Sequence, residues 1–130
     1  MQTWRVRSEF LGLLRVTFDE QAMGQTFSSK NIQGAIVQID ILQSGKSSDN
    51  SSKEFFRFQT ALQDYESGNL KAFDDLSLQI SGTEFQSKVL RNLRKIAGGT
   101  VVTYGELATL SGNPKAYRAV ASVCASNKIP

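Results

Sequence analysis

The stretch NPKAYRAVASVCAS, residues 113–126, combines two cations with several small side chains. We predict a helix over residues 114–126, because Asn113 is a good N-cap and Pro114 suits the first helical position. Its inward positions are apolar: Ala116, Val120 and Val123. Its other face carries cations and small residues: Lys115, Arg118, Ala121, Ser122 and Ala125. Small side chains admit close approach to a groove and cations meet phosphates, so the pattern predicts the second helix of a DNA-binding helix-turn-helix. Ordinary close helix packing is the alternative.

The chain contains one cysteine and no histidine, which narrows the chemistry open to its side chains. Histidine is the commonest general base and a common zinc ligand, so we expect no metal site and no cofactor. Cys124 lies among small and apolar residues without a histidine partner. We therefore predict a buried, inert thiol at Cys124 and not a nucleophile.

The elements before this helix have clear start and stop signals. Thr83 and Gln86 have capping-box spacing, and the helix they begin ends at Gly98-Gly99. Its predicted apolar stripe consists of Phe85, Val89, Leu93 and Ile96. A second capping box, Thr103 and Glu106, begins a short helix that precedes the turn Ser111-Gly112-Asn113. Tyr104, at the start of that short helix, suits either the core or a phosphate contact through its ring and hydroxyl.

The first part of the chain predicts strands and one helix. Strands are expected at residues 3–8, 13–18, 25–28 and 35–42, followed by a Ser-rich loop, 44–53, and a helix over 54–68 with Gly68 as its C-cap. In the fourth strand one face is predicted to consist of Ala35, Val37, Ile39 and Ile41. In the helix the apolar stripe is Phe55, Phe58, Leu62 and Tyr65. The predicted fold class is α+β: a small strand-rich domain, a linker over 73–82, and a helical domain.

Charge is distributed unevenly along the chain. Residues 1–82 carry a net charge of −2 and residues 83–130 a net charge of +5, which together give the overall +3. A basic segment beside a mildly acidic one suggests a polyanion binder, although a solvated cationic helix has the same composition. No apolar run approaches the ~18–20 residues of a membrane span, and the first residues lack a secretory signal. We therefore expect no membrane partner. We also expect a monomer, located in the cytoplasm, or in the nucleus if the protein is eukaryotic.

The motifs GTEFQ, VTYGELA, GNPKAYRAV and the Asn-x-x-Pro of NKIP agree in order and spacing from Thr83 onward. They strongly resemble the C-terminal domain of O6-alkylguanine-DNA alkyltransferases, and LQDYESG followed by FDDLSLQISGTEFQ resembles the lead-in to that domain. The resemblance implies a ribonuclease-H-like N-terminal domain over 1–82 and a winged-helix-like helix-turn-helix domain over 83–130. It also implies a double-stranded DNA partner that carries O6-alkylguanine, with the helix-turn-helix docked on the minor groove and the damaged base flipped out.

The resemblance assigns roles to individual positions. Arg118 matches the arginine that enters the base stack, and Tyr104 matches the tyrosine against the phosphate of the rotated nucleotide. Asn127 matches the asparagine that links the recognition helix to the reactive-site strand. Matches to DNA-backbone contacts are Gln86, Gly105 and Asn113. The predicted outer face of the last helix adds Lys115 and Ser122 to the DNA-binding residues.

Three departures from the family pattern stand out. The reactive Pro-Cys-His-Arg motif would follow Pro130, so the 130 residues as given lack the nucleophile and are expected to be inactive. Ala121 replaces a frequent glycine, and Tyr117 replaces a small residue. Three functions are compatible with these residues: repair by direct alkyl transfer to a cysteine beyond the chain, lesion binding without chemistry, and an inactive truncated fragment.

Overall fold

The computed structural model describes residues 1–47 and 52–129. The chain forms two compact units: Met1–Gln79 together with Lys128 and Ile129, and Ile80–Asn127. The first unit contains β1 (Gln2–Ser8), β2 (Gly12–Gly24), β3 (Ile32–Leu42) and α1 (Lys53–Glu66). The second contains α2 (Glu84–Lys95), α3 (Tyr104–Leu110) and α4 (Tyr117–Ala125). The predicted α+β class, strands first and a helical part after them, is confirmed.

The three strands form one antiparallel sheet in the order β1-β2-β3. β2 is longer than the predicted strand 13–18, because Asp19 still pairs with Ala35 and Met23 with Gln33. The strand predicted at residues 25–28 is wrong. Beyond Gly24, Gln25 forms an isolated bridge with Leu78, and the chain then turns, with Thr26 N–H donating to the Ser29 carbonyl (2.9 Å).

A register shift in the β2–β3 pair changes which side chains of β3 face the core. Phe18 pairs with Ile36 while Thr17 pairs with Gln38, so Val37 is the extra residue of a bulge. The predicted face of Ala35, Val37, Ile39 and Ile41 is therefore wrong. Instead Ile36 is buried, Ile39 packs against the same cluster, and Ile41 is 56% exposed.

α1 covers the inner face of the sheet with three of the four side chains that its sequence period predicted; the fourth, Tyr65, is 39% exposed. Phe55, Phe58 and Leu62 are buried, and Trp4 from β1 packs among them. The Trp4 ring stacks on the Phe18 ring at 5.4 Å between centroids and meets the Phe55 ring edge-on at 5.9 Å. Fully burying an aromatic or branched side chain contributes about 1.5–3 kcal/mol, so this cluster is the main source of stability in the first unit.

The limits of α1 differ slightly from those expected. The helix begins one residue early, with the Ser52 hydroxyl accepting from Phe55 N–H. Its C-cap is Ser67, and Gly68 follows with a φ of +110°, in the left-handed region that glycine adopts at low cost. The Glu66 carboxylate accepts from Ser8 Oγ and from Glu9 N–H, which ties the end of α1 to the β1–β2 hairpin.

The three helices of the second unit pack around a small core. Its buried residues are Val89, Leu107, Ala108, Val120 and Val123, with Phe85, Leu93 and Ile96 half-buried against them. The stripe predicted for α2 is thus confirmed, as are the inward positions Val120 and Val123 of the last helix. None of the described helices combines the length and apolar character that crossing a bilayer requires.

Candidate DNA-binding surface

The start of α2 fixes Gln86 through the predicted capping box. Thr83 Oγ1 accepts from Gln86 N–H (3.1 Å), and Gln86 Oε1 accepts from Thr83 N–H (2.9 Å). Gly82, at φ +124°, makes this possible, because a Cβ there would lie 2.5 Å from Gln86 Oε1. Gln86 is exposed, so its side chain is held in place while its surface stays open to a partner.

The start of α3 presents Tyr104 and Gly105. Thr103 caps the helix by accepting from Glu106 N–H (3.0 Å), and its hydroxyl donates to Glu106 Oε1 (3.3 Å). Thr103 is therefore the N-cap that the sequence predicted, but Glu106 does not complete the predicted capping box, because its carboxylate accepts from the Thr103 hydroxyl. Tyr104 is 54% exposed, which favours the surface role over the core role that its sequence position left open. The Gly105 carbonyl accepts from Thr109 Oγ1 (3.0 Å).

The turn between α3 and α4 differs from the prediction. Asn113 N–H donates to the Ala108 carbonyl and the Asn113 carbonyl accepts from Ala116 N–H, both at 3.0 Å. Residues 113–116 therefore form a β-turn, and α4 begins at Tyr117 with Ala116 as its N-cap. The expected N-cap at Asn113 and the helical start at Pro114 are wrong. The fixed φ of proline suits the second position of a turn as well as the first turn of a helix.

Sequence reasoning missed the residue that anchors this turn. Asn92 Nδ2, on α2, donates to the Leu110 carbonyl and to Ser111 Oγ, both at 3.2 Å. Ser111 is only 3% exposed, so its hydroxyl needs such a partner. The spacing of Asn92 could have indicated this role. It follows Phe85 and Val89 at helical steps, so it is a polar residue on the apolar face of α2.

α4 turns one face to the core and the opposite face outward. Val120 and Val123 are buried, whereas Arg118, Ser122 and Ala125 are exposed and Ala121 is half-buried. Lys115, in the turn before the helix, is exposed. Tyr117 is 51% exposed, so it adds an aromatic ring to this surface. The family pattern has a small residue at this position. Apart from Tyr117, the outer face therefore combines cations with small side chains, as the sequence predicted.

The electrostatics of the second unit favour an anionic partner. Residues 80–127 contain six cations and two carboxylates, a net charge of +4. The first turn of α4 carries no acidic residue, and none of the described side chains caps it, so its backbone N–H groups add partial positive charge beside Arg118. Lys88 of α2 lies near the turn between α3 and α4, since a Cβ on Gly112 would lie 3.7 Å from Lys88 Nζ.

Cys124 is the free cysteine of the chain and belongs to the margin of the helical core. Burial raises the pKa of the Cys124 thiol above its ordinary value. A thiol with a raised pKa stays protonated at neutral pH and is a poor nucleophile. The side chain is half-buried and not fully buried as predicted, but its environment agrees with an inert thiol.

Asn127 follows α4 and is half-buried. Its backbone N–H donates to the Cys124 carbonyl at 3.3 Å, which continues the end of the helix. After it the chain adds to the first unit: the Lys128 carbonyl accepts from Ile39 N–H (2.8 Å), and Ile129 packs against the core that contains Trp4. The link from recognition helix to reactive-site strand that the family pattern assigns to Asn127 stays a prediction.

These features define a class of protein: an α/β unit joined to a helix-turn-helix unit whose second helix exposes an arginine among small side chains. Residues 84–130 match the family model described as 6-O-methylguanine DNA methyltransferase, DNA binding domain. The chain belongs to the methylated-DNA–protein-cysteine methyltransferase family. This membership rests on a relative that it matches along most of its length.

That relative is a probable methylated-DNA–protein-cysteine methyltransferase of Acanthamoeba polyphaga mimivirus. It is 31% identical over 119 residues, which cover 92% of this chain and 69% of the relative. The methyltransferase of Methanosarcina mazei is 48% identical over 80 residues, 61% of this chain and 49% of the relative. The chain thus spans about two thirds of the first protein and about half of the second.

Solved structures agree with the fold. Mycobacterium tuberculosis O6-methylguanine methyltransferase superposes with a TM-score of 0.73 at 25% identity, covering 99% of this chain and 72% of that one. The same organism's OGT in complex with DNA gives a TM-score of 0.71 at 24% identity, covering 100% and 73%, a likeness of fold alone. The family resemblance drawn from the sequence motifs is confirmed.

Proposed function

We propose that this chain binds double-stranded DNA carrying O6-alkylguanine and belongs to a protein that repairs it by direct alkyl transfer. The observation that carries the proposal is the exposed outer face of α4, where Arg118 stands among Ala121, Ser122 and Ala125. Such a face fits closely into a groove, and a long cationic side chain can fill the space that a flipped base leaves.

The other DNA-binding residues have assigned roles in this proposal. The exposed ring of Tyr104 lies against the phosphate of the rotated nucleotide. Gln86, Gly105 and Asn113 contact the DNA backbone, and Lys115 and Ser122 extend the contact along α4. The restrained positions of Gln86 and Asn113 support these roles, because pre-ordered groups lose little entropy on binding.

The chemical step is a direct displacement on the alkyl carbon. A cysteine thiolate attacks that carbon, a C–S bond forms, the C–O bond to guanine O6 breaks, and the guanine keeps the electron pair and takes up a proton. The alkyl-cysteine is not regenerated, so each protein molecule acts once. We place the reactive cysteine in a Pro-Cys-His-Arg segment after Pro130, because Cys124 lacks a histidine partner and has a raised pKa.

Methyl transfer from a radiolabelled O6-methylguanine duplex tests the chemical part. The 130-residue chain is expected to take up no label, and the same chain extended by the codons that follow Pro130 in its gene is expected to take up one methyl per molecule. Label on the 130-residue chain that disappears in Cys124→Ser would overturn the assignment of the nucleophile.

Binding tests the recognition part. Arg118→Ala should reduce the preference for a lesion-containing duplex over a matched unmodified duplex, whereas Lys95→Ala, an exposed cation at the end of α2, should preserve it. If Arg118→Ala keeps the wild-type preference for the lesion-containing duplex, Arg118 does not have the base-displacement role.

Lesion binding without chemistry is the second candidate. It is favoured by the unreactive environment of the one cysteine in these residues. The extended chain separates the two candidates, since a lesion-binding protein would show the duplex preference and take up no methyl group. We also propose a monomer, which sedimentation of the chain alone would test.

A further inference from the structure

A second group of cations lies on the outer face of the sheet, the face opposite Trp4 and Val6. Arg5 and Arg7 of β1 and Arg15 of β2 are all exposed there. The strand register places Arg5 directly opposite Arg15. The pairing of β1 with β2 thus brings two guanidinium groups to neighbouring positions on one face of the sheet.

The loop after β3 draws the arginine ends together. Arg7 Nη2 donates to the Gly45 carbonyl at 3.4 Å, and a Cβ on Gly45 would lie 3.7 Å from Arg5 Nη1. The two guanidinium groups therefore border the same short loop, which also exposes Lys46. We call Arg5, Arg7, Arg15 and Lys46 the sheet-face cluster.

One carboxylate of β3 moderates this charge. Asp40 Oδ2 lies 3.2 Å from Arg15 Nη2, and hydrogen bonds from Gln38 and then Arg15 lower the pKa of Asp40, so it is ionised at neutral pH. The four cations of the cluster with Asp40 give a net charge of +3. An arginine has five N–H donors, so one that already holds an acceptor keeps others for a ligand.

The cluster contrasts with the rest of the N-terminal part of the chain. Residues 1–82 have a net charge of −2, yet this face is strongly positive. Half of the ten acidic residues in this part lie in and after α1: Glu54, Asp64, Glu66, Asp74 and Asp75. β1, which holds Arg5 and Arg7, carries no acidic residue. The exposed arginines of two neighbouring strands match a partner with a repeating negative charge. Guanidinium groups favour phosphate in particular, because their donors form a fork that binds two oxygens.

We propose that the sheet-face cluster is a second contact for the phosphodiester backbone of duplex DNA. This inference rests on the proposed function, which brings a duplex to the protein. The contact is independent of base sequence and of the lesion, so it adds affinity without adding preference for the damaged base.

The test compares Arg5→Gln/Arg15→Gln with the wild-type chain by fluorescence anisotropy, on an O6-methylguanine duplex and on a matched unmodified duplex. The affinity for both duplexes should fall by the same factor, about tenfold or more at low salt, and the slope of log K against log salt should become shallower by about 2. The matched control, Arg57→Gln/Lys71→Gln, removes two exposed cations outside the cluster and should change neither quantity.

A charge-conserving variant guards against misfolding. Arg5→Lys/Arg15→Lys keeps both charges and should retain most of the affinity and the salt slope of the wild type. Circular dichroism should show wild-type helix content in both double variants. Should the glutamine double variant lose that content, the single variant Arg5→Gln replaces it, with half the expected change in slope.

The outcomes separate this inference from the proposed function. Lesion preference with an unchanged affinity and slope in Arg5→Gln/Arg15→Gln would overturn the second contact alone. Duplex binding that depends on the cluster but ignores the lesion would support the second contact and overturn the proposed function. A wild-type chain that binds no duplex, or binds polyglutamate through the cluster in preference to DNA, would overturn the second contact.

Discussion

Asn92 holds the turn of the helix-turn-helix, and its replacement tests how that turn is stabilised. In Asn92→Ala the Leu110 carbonyl and Ser111 Oγ lose donors that now lie at 3.2 Å. The Leu110 contact is exposed to water, which can replace it, whereas Ser111 is 3% exposed. One net hydrogen bond contributes about 0.5–1.5 kcal/mol, and leaving a buried polar group unsatisfied costs about 1–3 kcal/mol. We therefore expect Asn92→Ala to lower the free energy of unfolding by about 2 kcal/mol.

Urea unfolding followed by circular dichroism at the helical band measures this change. Ser111→Ala removes the hydroxyl that Asn92→Ala leaves without its donor. The double variant Asn92→Ala/Ser111→Ala should therefore lower the free energy of unfolding by about 1 kcal/mol less than the sum of the two single changes. Lys95→Ala, an exposed change on the same helix, should stay within about 0.5 kcal/mol of wild type. Additive single changes, or an Asn92→Ala cost no larger than that of Lys95→Ala, would refute the anchoring role.

Three further predictions concern other parts of the chain. Phe58→Ala should lower the free energy of unfolding by about 3–5 kcal/mol in urea titrations, because Phe58 is buried in the aromatic cluster. Thr83→Ala should lower the free energy of unfolding by about 1 kcal/mol in the same assay through loss of the α2 cap. Thr83→Ser, which can still cap the helix, should retain most of the wild-type stability. The hydrogen bond from the N-terminal ammonium of Met1 lowers the pKa of Glu20 from 4.5 to about 2. Its stabilising contribution is therefore present above about pH 4.5 and is lost as the pH falls towards 2; an NMR titration of the Glu20 carboxyl that gives an ordinary pKa would contradict this.

The structure also relates charge to architecture. In each unit some of the cations share one face: Arg118 and Lys115 on the helical unit, and the sheet-face cluster on the other. Overall net charge conceals this, since it is only +3 for the whole chain. Surface distribution, and not composition, determines where a polyanion can bind.

Local patterns predicted the features that depend on neighbours in sequence. The capping residues Thr83 and Thr103 and the stripe of Phe55, Phe58 and Leu62 follow from contacts three or four residues apart. The family itself was also readable, because the motifs after Thr83 keep their order and spacing. These predictions succeeded because a helix satisfies its backbone and aligns its side chains within a few residues.

Other features depended on partners far away in sequence, and only the tertiary structure decided them. The bulge at Val37 and the length of β2 follow from strand pairing, whose register no single strand contains. The start of α4 at Tyr117 follows from a turn that Asn92 of another helix holds in place. The facing of Arg5 and Arg15 likewise exists only once β1 and β2 are paired. The sequence by itself therefore determined the presence of the helices, the N-caps Thr83 and Thr103, and the family. Non-local packing decided the sheet register, the start of α4 and the faces on which the charged residues lie.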